Sequence, residues 1–196
     1  MKRGEWNNIS KLEPRNFVCG HCGREVGSVE GWFFTQRFPG RSRVTAWIYI
    51  CPICKNPTFF DERSQIPGVA VGRAVENLPK EISDLYEEIR KATSQEAYTA
   101  AVLSCRKLLM HIAVEKGAKK NLNFIDYVDY LAKNHYAPPN SEPWIDRIRQ
   151  MGNEANHEIK IMSRNDALEI INFLEMLLKF VYEFPGKVNL NSASAE

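Results

Sequence analysis

The stretch CGHC at residues 19–22, answered by CPIC at residues 51–54, decides how this chain is read. Each holds two cysteines in Cys-x-x-Cys spacing, and 28 residues lie between the pairs. A tight turn of this kind lets two thiolates converge on one ion, and two such turns complete the tetrahedral shell that zinc prefers. The N-terminus MKRGEWNNIS lacks the apolar core of a secretory signal, so the expected compartment is the cytoplasm. Thiols stay reduced there, and paired cysteines read as metal ligands rather than disulfides. The expected cofactor is one structural Zn²⁺ per chain on Cys19, Cys22, Cys51 and Cys54. A closed shell of four thiolates leaves no open position, which argues against catalysis at the metal. Gly20 and Gly23 permit the tight backbone of the first turn, and Pro52 that of the second. His21 is either a substitute ligand or an exposed residue of its turn.

Between the cysteine pairs the sequence runs GWFFTQRF, PGRSR, VTAWIYI, and PTFF follows the second pair. Short aromatic and β-branched runs separated by turn residues predict a small antiparallel sheet, with Pro39-Gly40 closing a hairpin. Residues 1–66 are therefore expected to form a small Cys₄ zinc ribbon. Trp32, Phe33, Phe34, Trp47 and Tyr49 interleave with Arg37, Arg41 and Arg43. A module this small needs aromatics for its core, yet aromatics beside arginines also stack bases and hold phosphates. Arg37, Arg41, Arg43 and Trp47 are thus the candidate nucleic-acid-binding residues, for RNA or DNA. Charge agrees: residues 1–66 carry 10 Lys/Arg against 6 Asp/Glu, whereas residues 67–196 carry 16 against 18.

The pattern changes after residue 66. Residues 67–78, rich in Gly and Pro, read as a linker, and from residue 79 the apolar spacing becomes helical. Pro79 opens a first helix running to Thr93, with Ile82, Leu85, Tyr86 and Ile89 on one face. Ser94 is the expected N-cap of a second helix ending near Gly117, in which Cys105 is a packed core thiol. Further helices are expected from Asn123, from Pro143 and from Asn165 to Phe184, with residues 185–196 as a tail. The fold class is α+β: a small β module followed by a helical bundle over residues 79–184. No apolar run approaches the roughly 20 residues of a membrane span.

The fourth helix contains RQMGNEANH, residues 149–157, with Arg149, Asn153 and His157 spaced by four. Residues at this spacing drift slowly around a helix and can face one groove. Histidine moves protons near neutral pH, arginine stabilises charge on a phosphoryl group, and asparagine orients an oxygen. The three are candidate catalytic residues, or else a polar helix face against a neighbour. Arg106, within an otherwise apolar helix, either pairs with an acid such as Glu154, supports the same groove, or snorkels to the surface.

The runs LPKEISDLYEEIRKA, AYTAAVLSCRKLLMHIA, IDRIRQMGNEANHE and DALEIINFLEMLLKFVYE resemble the family called domain of unknown function 4145, over residues 78–184. That family is grouped with HEPN-like helical domains of prokaryotic defence and restriction-associated systems, and an N-terminal zinc ribbon recurs in it. The resemblance implies a HEPN-like bundle and a homodimer. In nuclease members Arg and His from two subunits form a composite, metal-independent endoribonuclease site, which places Arg149, Asn153 and His157 in those roles. Active members set the two closer together than the seven residues that separate Arg149 from His157 here. That places a nucleic-acid- or partner-binding adaptor first, an endoribonuclease second and a regulatory subunit of a larger machine third.

Overall fold

The computed structural model describes residues 8–137, 141–157 and 161–193, the stretches 151–157 and 189–193 by their backbone alone. The chain divides into two compact units, residues 1–70 and 71–196.

The first unit is an antiparallel meander: β1 (Ser10–Val18), β2 (Glu25–Phe38), β3 (Arg41–Ile50), β4 (Pro57–Phe60) and β5 (Gln65–Ile66), paired in that order. Strand β1 is absent from the sequence reading because SKLEPRNFV alternates poorly and contains Pro14. It tolerates both because it is an edge strand, with a register shift between Lys11 and Arg15. The core lies on one face. Phe17, Val26, Tyr49 and Phe60 are buried together with Cys19 and Cys51. Phe60 meets Phe17 edge-on at 5.0 Å and Tyr49 at 5.8 Å. Arg15 closes this side, its guanidinium 4.2 Å from the Phe60 ring centroid. The Tyr49 hydroxyl donates to the Glu13 carbonyl at 2.8 Å, fastening β3 to the edge strand.

The other face is set by register. Trp32 lies opposite Ile48, and Ile48 opposite Phe59. Next along β2, Phe34 lies opposite Ala46, Gln36 opposite Arg43 and Phe38 opposite Arg41. Alternate residues of a strand share a face, so Trp32, Phe34, Gln36 and Phe38 project together, away from the core. Phe34 is 62% exposed.

The second unit is helical: α1 (Lys80–Ser94), α2 (Tyr98–Glu115), α3 (Phe124–Lys133), α4 (Glu142–His157), α5 (Arg164–Leu178), a π-helical turn (Lys179–Glu183) and α6 (Phe184–Ala193). Helix α2 is the hub, packed on α1, α3 and α5, while α4 packs on α3 and α5. Its Ala101, Val102, Cys105, Leu109, Ile112 and Ala113 are fully buried, as a helix surrounded by neighbours requires. Asn123 caps α3 by accepting from the Asp126 N–H. Ser163 and Asp166 form a reciprocal capping box at the start of α5.

Two boundaries depart from the sequence reading. Ser94 does not cap α2: it is the last residue of α1, where its hydroxyl donates to the Lys91 carbonyl at 2.8 Å. The chain breaks at Gln95–Ala97 instead, with Glu96 in the left-handed region at φ 58°. At the other end, helix continues as α6 through Ala193, where a tail was expected over 185–196. Pro185 is tolerated because it follows directly on the π-helical turn, where the regular hydrogen-bond ladder is already interrupted.

Residues 71–78, ahead of α1, are bound to the helical unit. The Val71 N–H donates to the Thr93 hydroxyl at 2.9 Å and the Arg73 N–H to Glu175 at 2.8 Å. The Tyr86 hydroxyl donates to the Arg73 carbonyl at 3.0 Å, and the Glu76 N–H to Glu183 at 3.2 Å.

Candidate metal centre and the Arg149 helix

The β1–β2 and β3–β4 connections repeat one design. The Cys19 N–H donates to the Arg24 carbonyl and the Gly23 N–H to the Cys19 carbonyl. In the second turn the Cys51 N–H donates to Asn56 and the Lys55 N–H to Cys51, residue for residue the same. Gly23 and Lys55 hold the equivalent left-handed position, at φ 69° and 59°. Gly20 serves a different end. A Cβ there would lie 2.3 Å from the Pro67 carbonyl oxygen, so the chain at 67–68 passes too close for any side chain.

The two turns bring all four sulfur atoms within 4.8 Å of one another. Cys19 and Cys54 Sγ are 3.7 Å apart, and Cys22 and Cys51 Sγ 3.9 Å. A tetrahedral metal–thiolate shell with bonds of about 2.3 Å has edges of about 3.8 Å, so the four thiols fit one metal ion. None is in a disulfide. Cys19 and Cys51 are fully buried. Burial pushes the Cys19 thiol up to about 12 and raises Cys22 as well. At Cys51 burial also raises the value, but the N–H groups of Cys54 and Ile53 outweigh it and pull the thiol below its ordinary range. Backbone N–H groups aimed at sulfur favour the thiolate a metal needs. His21 stands apart from the four thiols: its Nε2 lies 2.9 Å from the Pro57 carbonyl oxygen.

The four hairpin residues proposed for nucleic acid do not share one face. Arg41 and Arg43 line an open hollow of about 640 Å³ with Gln36, Phe38, Glu62 and Arg63. Arg41 lies 5.6 Å from the Phe38 ring centroid, and Arg43 pairs with Glu62 at 2.6 Å. Arg37 is opposite Ser42, one step out of phase with them. Trp47 packs against the core side of the sheet, 5.8 Å from Arg15.

On α4, Arg149, Asn153 and His157 follow one another along a single helix. The side chains of Asn153 and His157 lie outside the described residues, as does that of Glu154. Arg149 is described. Its Nε and Nη2 reach one oxygen of Asp129 on α3, at 2.7 and 2.6 Å, and Nη1 pairs with Asp146 one turn earlier. Burial works against its charge, but Asp129 and Asp146 more than offset this and raise its pKa above the ordinary arginine value. The pairing with Asp146 follows helical spacing and is readable in sequence. The pairing with Asp129 joins two helices and is not. Arg149 also borders a cleft of about 600 Å³ that it shares with Lys133, His135 and Phe180. Arg106 is buried rather than snorkelling, its guanidinium 4.6 Å from the Phe124 ring centroid. No described helix is long and apolar enough to cross a membrane.

The family model for a domain of unknown function (DUF4145) matches residues 87–194. No curated protein and no solved structure matches the chain.

Proposed function

The chain belongs to the DUF4145 family, and from that premise we propose that it is a non-catalytic, nucleic-acid- or partner-binding adaptor of a prokaryotic defence or restriction-associated system. Its first unit is a zinc ribbon in which Cys19, Cys22, Cys51 and Cys54 hold one structural Zn²⁺. The ion crosslinks two turns of a sheet too small to be stable on its apolar core alone. Its second unit is a HEPN-like bundle. The observation that carries the adaptor reading is the state of Arg149. A guanidinium held by Asp129 and Asp146 has its charge compensated. Stabilising a phosphoryl transition state needs that charge aimed at the substrate, and breaking both pairs costs free energy at each encounter.

The second reading is a metal-independent endoribonuclease with a composite Arg149/His157 site in a homodimer. It is supported by the cleft in which Arg149 stands beside Lys133 and His135. One experiment separates the two. Labelled structured RNA is incubated with the purified protein in EDTA and resolved on native and denaturing gels. The adaptor retards the RNA without shortening it. Cleavage by the wild type that His157→Ala abolishes would replace the adaptor with the nuclease.

A further inference from the structure

The sheet has one face filled by its core and one face open, and the open face changes chemistry along its length. At one end Trp32, Ile48 and Phe59 lie side by side across three strands, with Phe34 and Ala46 as the next rung. Together with Phe33 and Trp47 these residues line an apolar groove of about 110 Å³. Trp32 is fixed at its edge, its Nε1–H donating to the Asn8 carbonyl at 2.9 Å, so its ring is held in place. Beyond Phe34 the register shifts by one residue of β3, and the next rungs carry Arg43 and Arg41, opposite Gln36 and Phe38. Successive rungs on one face are about 7 Å apart.

We propose that this open face is a stacking surface for single-stranded nucleic acid, with Trp32, Phe34 and Phe59 taking bases and Arg41 and Arg43 taking phosphates. The inference rests on the nucleic-acid arm of the adaptor reading and names its ligand class and contact residues. Charge complementarity decides the occupant. An apolar protein segment would be served by the aromatic end but gains nothing from two cations that continue the same face. A strand of nucleic acid presents both chemistries in succession, flat π-faces and anions. Among the described residues Arg41 has no carboxylate partner. The Arg43–Glu62 pair is more than half exposed on both sides, so exchanging Glu62 for a phosphate costs little. A duplex keeps its bases stacked inside and offers this face only its backbone, hence the single strand.

The test uses the full-length, zinc-loaded protein and a fluorescein-labelled oligouridine of about 12 nucleotides, within the range one small binding module occupies. Fluorescence anisotropy is read at several salt concentrations for wild type, Phe34→Ala and Arg41→Gln. Phe34→Ala is expected to weaken binding by about 10-fold or more, the usual effect of removing one stacking ring. Arg41→Gln should lower the slope of log affinity against log salt by about 1. Unchanged zinc content in both variants shows that the sheet is intact. Tighter binding of a duplex, or equal binding by Phe34→Ala, overturns the stacking face and leaves the adaptor reading standing. Loss of a dimer in Phe34→Ala, with no oligonucleotide bound by wild type, assigns the face to a second copy and also overturns it. Metal-independent cleavage of an RNA that still requires Phe34 would instead remove the adaptor reading and keep the face.

Discussion

Arg149 on α4 and Asp129 on α3 meet through two nitrogens on one oxygen, at 2.7 and 2.6 Å, so the helix carrying GNEANH is tied sideways to its neighbour. Asp129→Ala removes that tie and leaves Arg149 only Asp146. The expected cost is about 1 kcal/mol, because the groups are about two-thirds buried and charge-assisted yet still touch solvent. Urea unfolding checks it. Arg149→Lys should cost nearly as much, since an ammonium cannot reach both carboxylates from one planar group.

The four-thiol centre should hold close to one zinc per chain, by elemental analysis after exhaustive dialysis. Cys51→Ser should lose the metal and the near-ultraviolet signal of the sheet. Helical circular dichroism should persist, because the helical unit has a core of its own. Acid should release the metal: protons compete for every thiolate, and most strongly at Cys19, whose thiol burial pushes up to about 12. Affinity is therefore expected to fall as pH falls.

Thiol titration distinguishes the fifth cysteine from the other four. Cys105 is fully buried, and burial raises its thiol far above the ordinary value, so it carries almost no thiolate. An aromatic disulfide reagent should find four thiols once a chelator has removed the metal. The fifth should react only on adding denaturant. Five fast thiols in the chelated protein would mean that α2 is not the packed hub.

At Gly31 β2 leaves no room for a side chain against β3. A Cβ on it would stand 1.8 Å from the backbone oxygen of Ile48, which has no flexible end to move aside. Gly31→Ala is expected to destabilise the first unit by about 3 kcal/mol or more, by separating two strands. Faster loss of zinc to a chelator reports it.

Ser163→Ala should cost about 1 kcal/mol of helical-unit stability, since it removes one half of the capping box that starts α5. Ser163→Asp keeps an acceptor for the Asp166 N–H but sets two carboxylates together, so it should recover only part of the loss.

The four-thiol cluster was legible because its spacing is local: two Cys-x-x-Cys turns require only that a hairpin bring them together. Most helices were legible for the same reason, through the apolar spacing of Ile82, Tyr86 and Ile89, or the cap at Asn123. What escaped depended on partners distant in sequence. Strand β1 is shaped by Tyr49 and Phe60, which its own residues do not announce. Trp47 and Phe34 read alike as aromatics beside arginines, and only strand register puts them on opposite faces. The tie from Arg149 to α3 was not readable, because Asp129 is 20 residues away on another helix. The expected cap at Ser94 anticipates the break between α1 and α2 three residues early, because Gln95–Ala97 carries neither glycine nor proline to fix it.

The segment 71–78 has a practical meaning for anyone who wishes to move the helical unit elsewhere. Cutting at Pro79, where the apolar periodicity begins, would strip Thr93, Glu175 and Glu183 of the backbone donors they receive and Tyr86 of its acceptor. The piece that can be transplanted whole therefore starts at Val71. In any natural gene fusion that carries this bundle, the seam is expected ahead of that residue, with the eight that precede α1's N-cap at Pro79 travelling as part of the cargo.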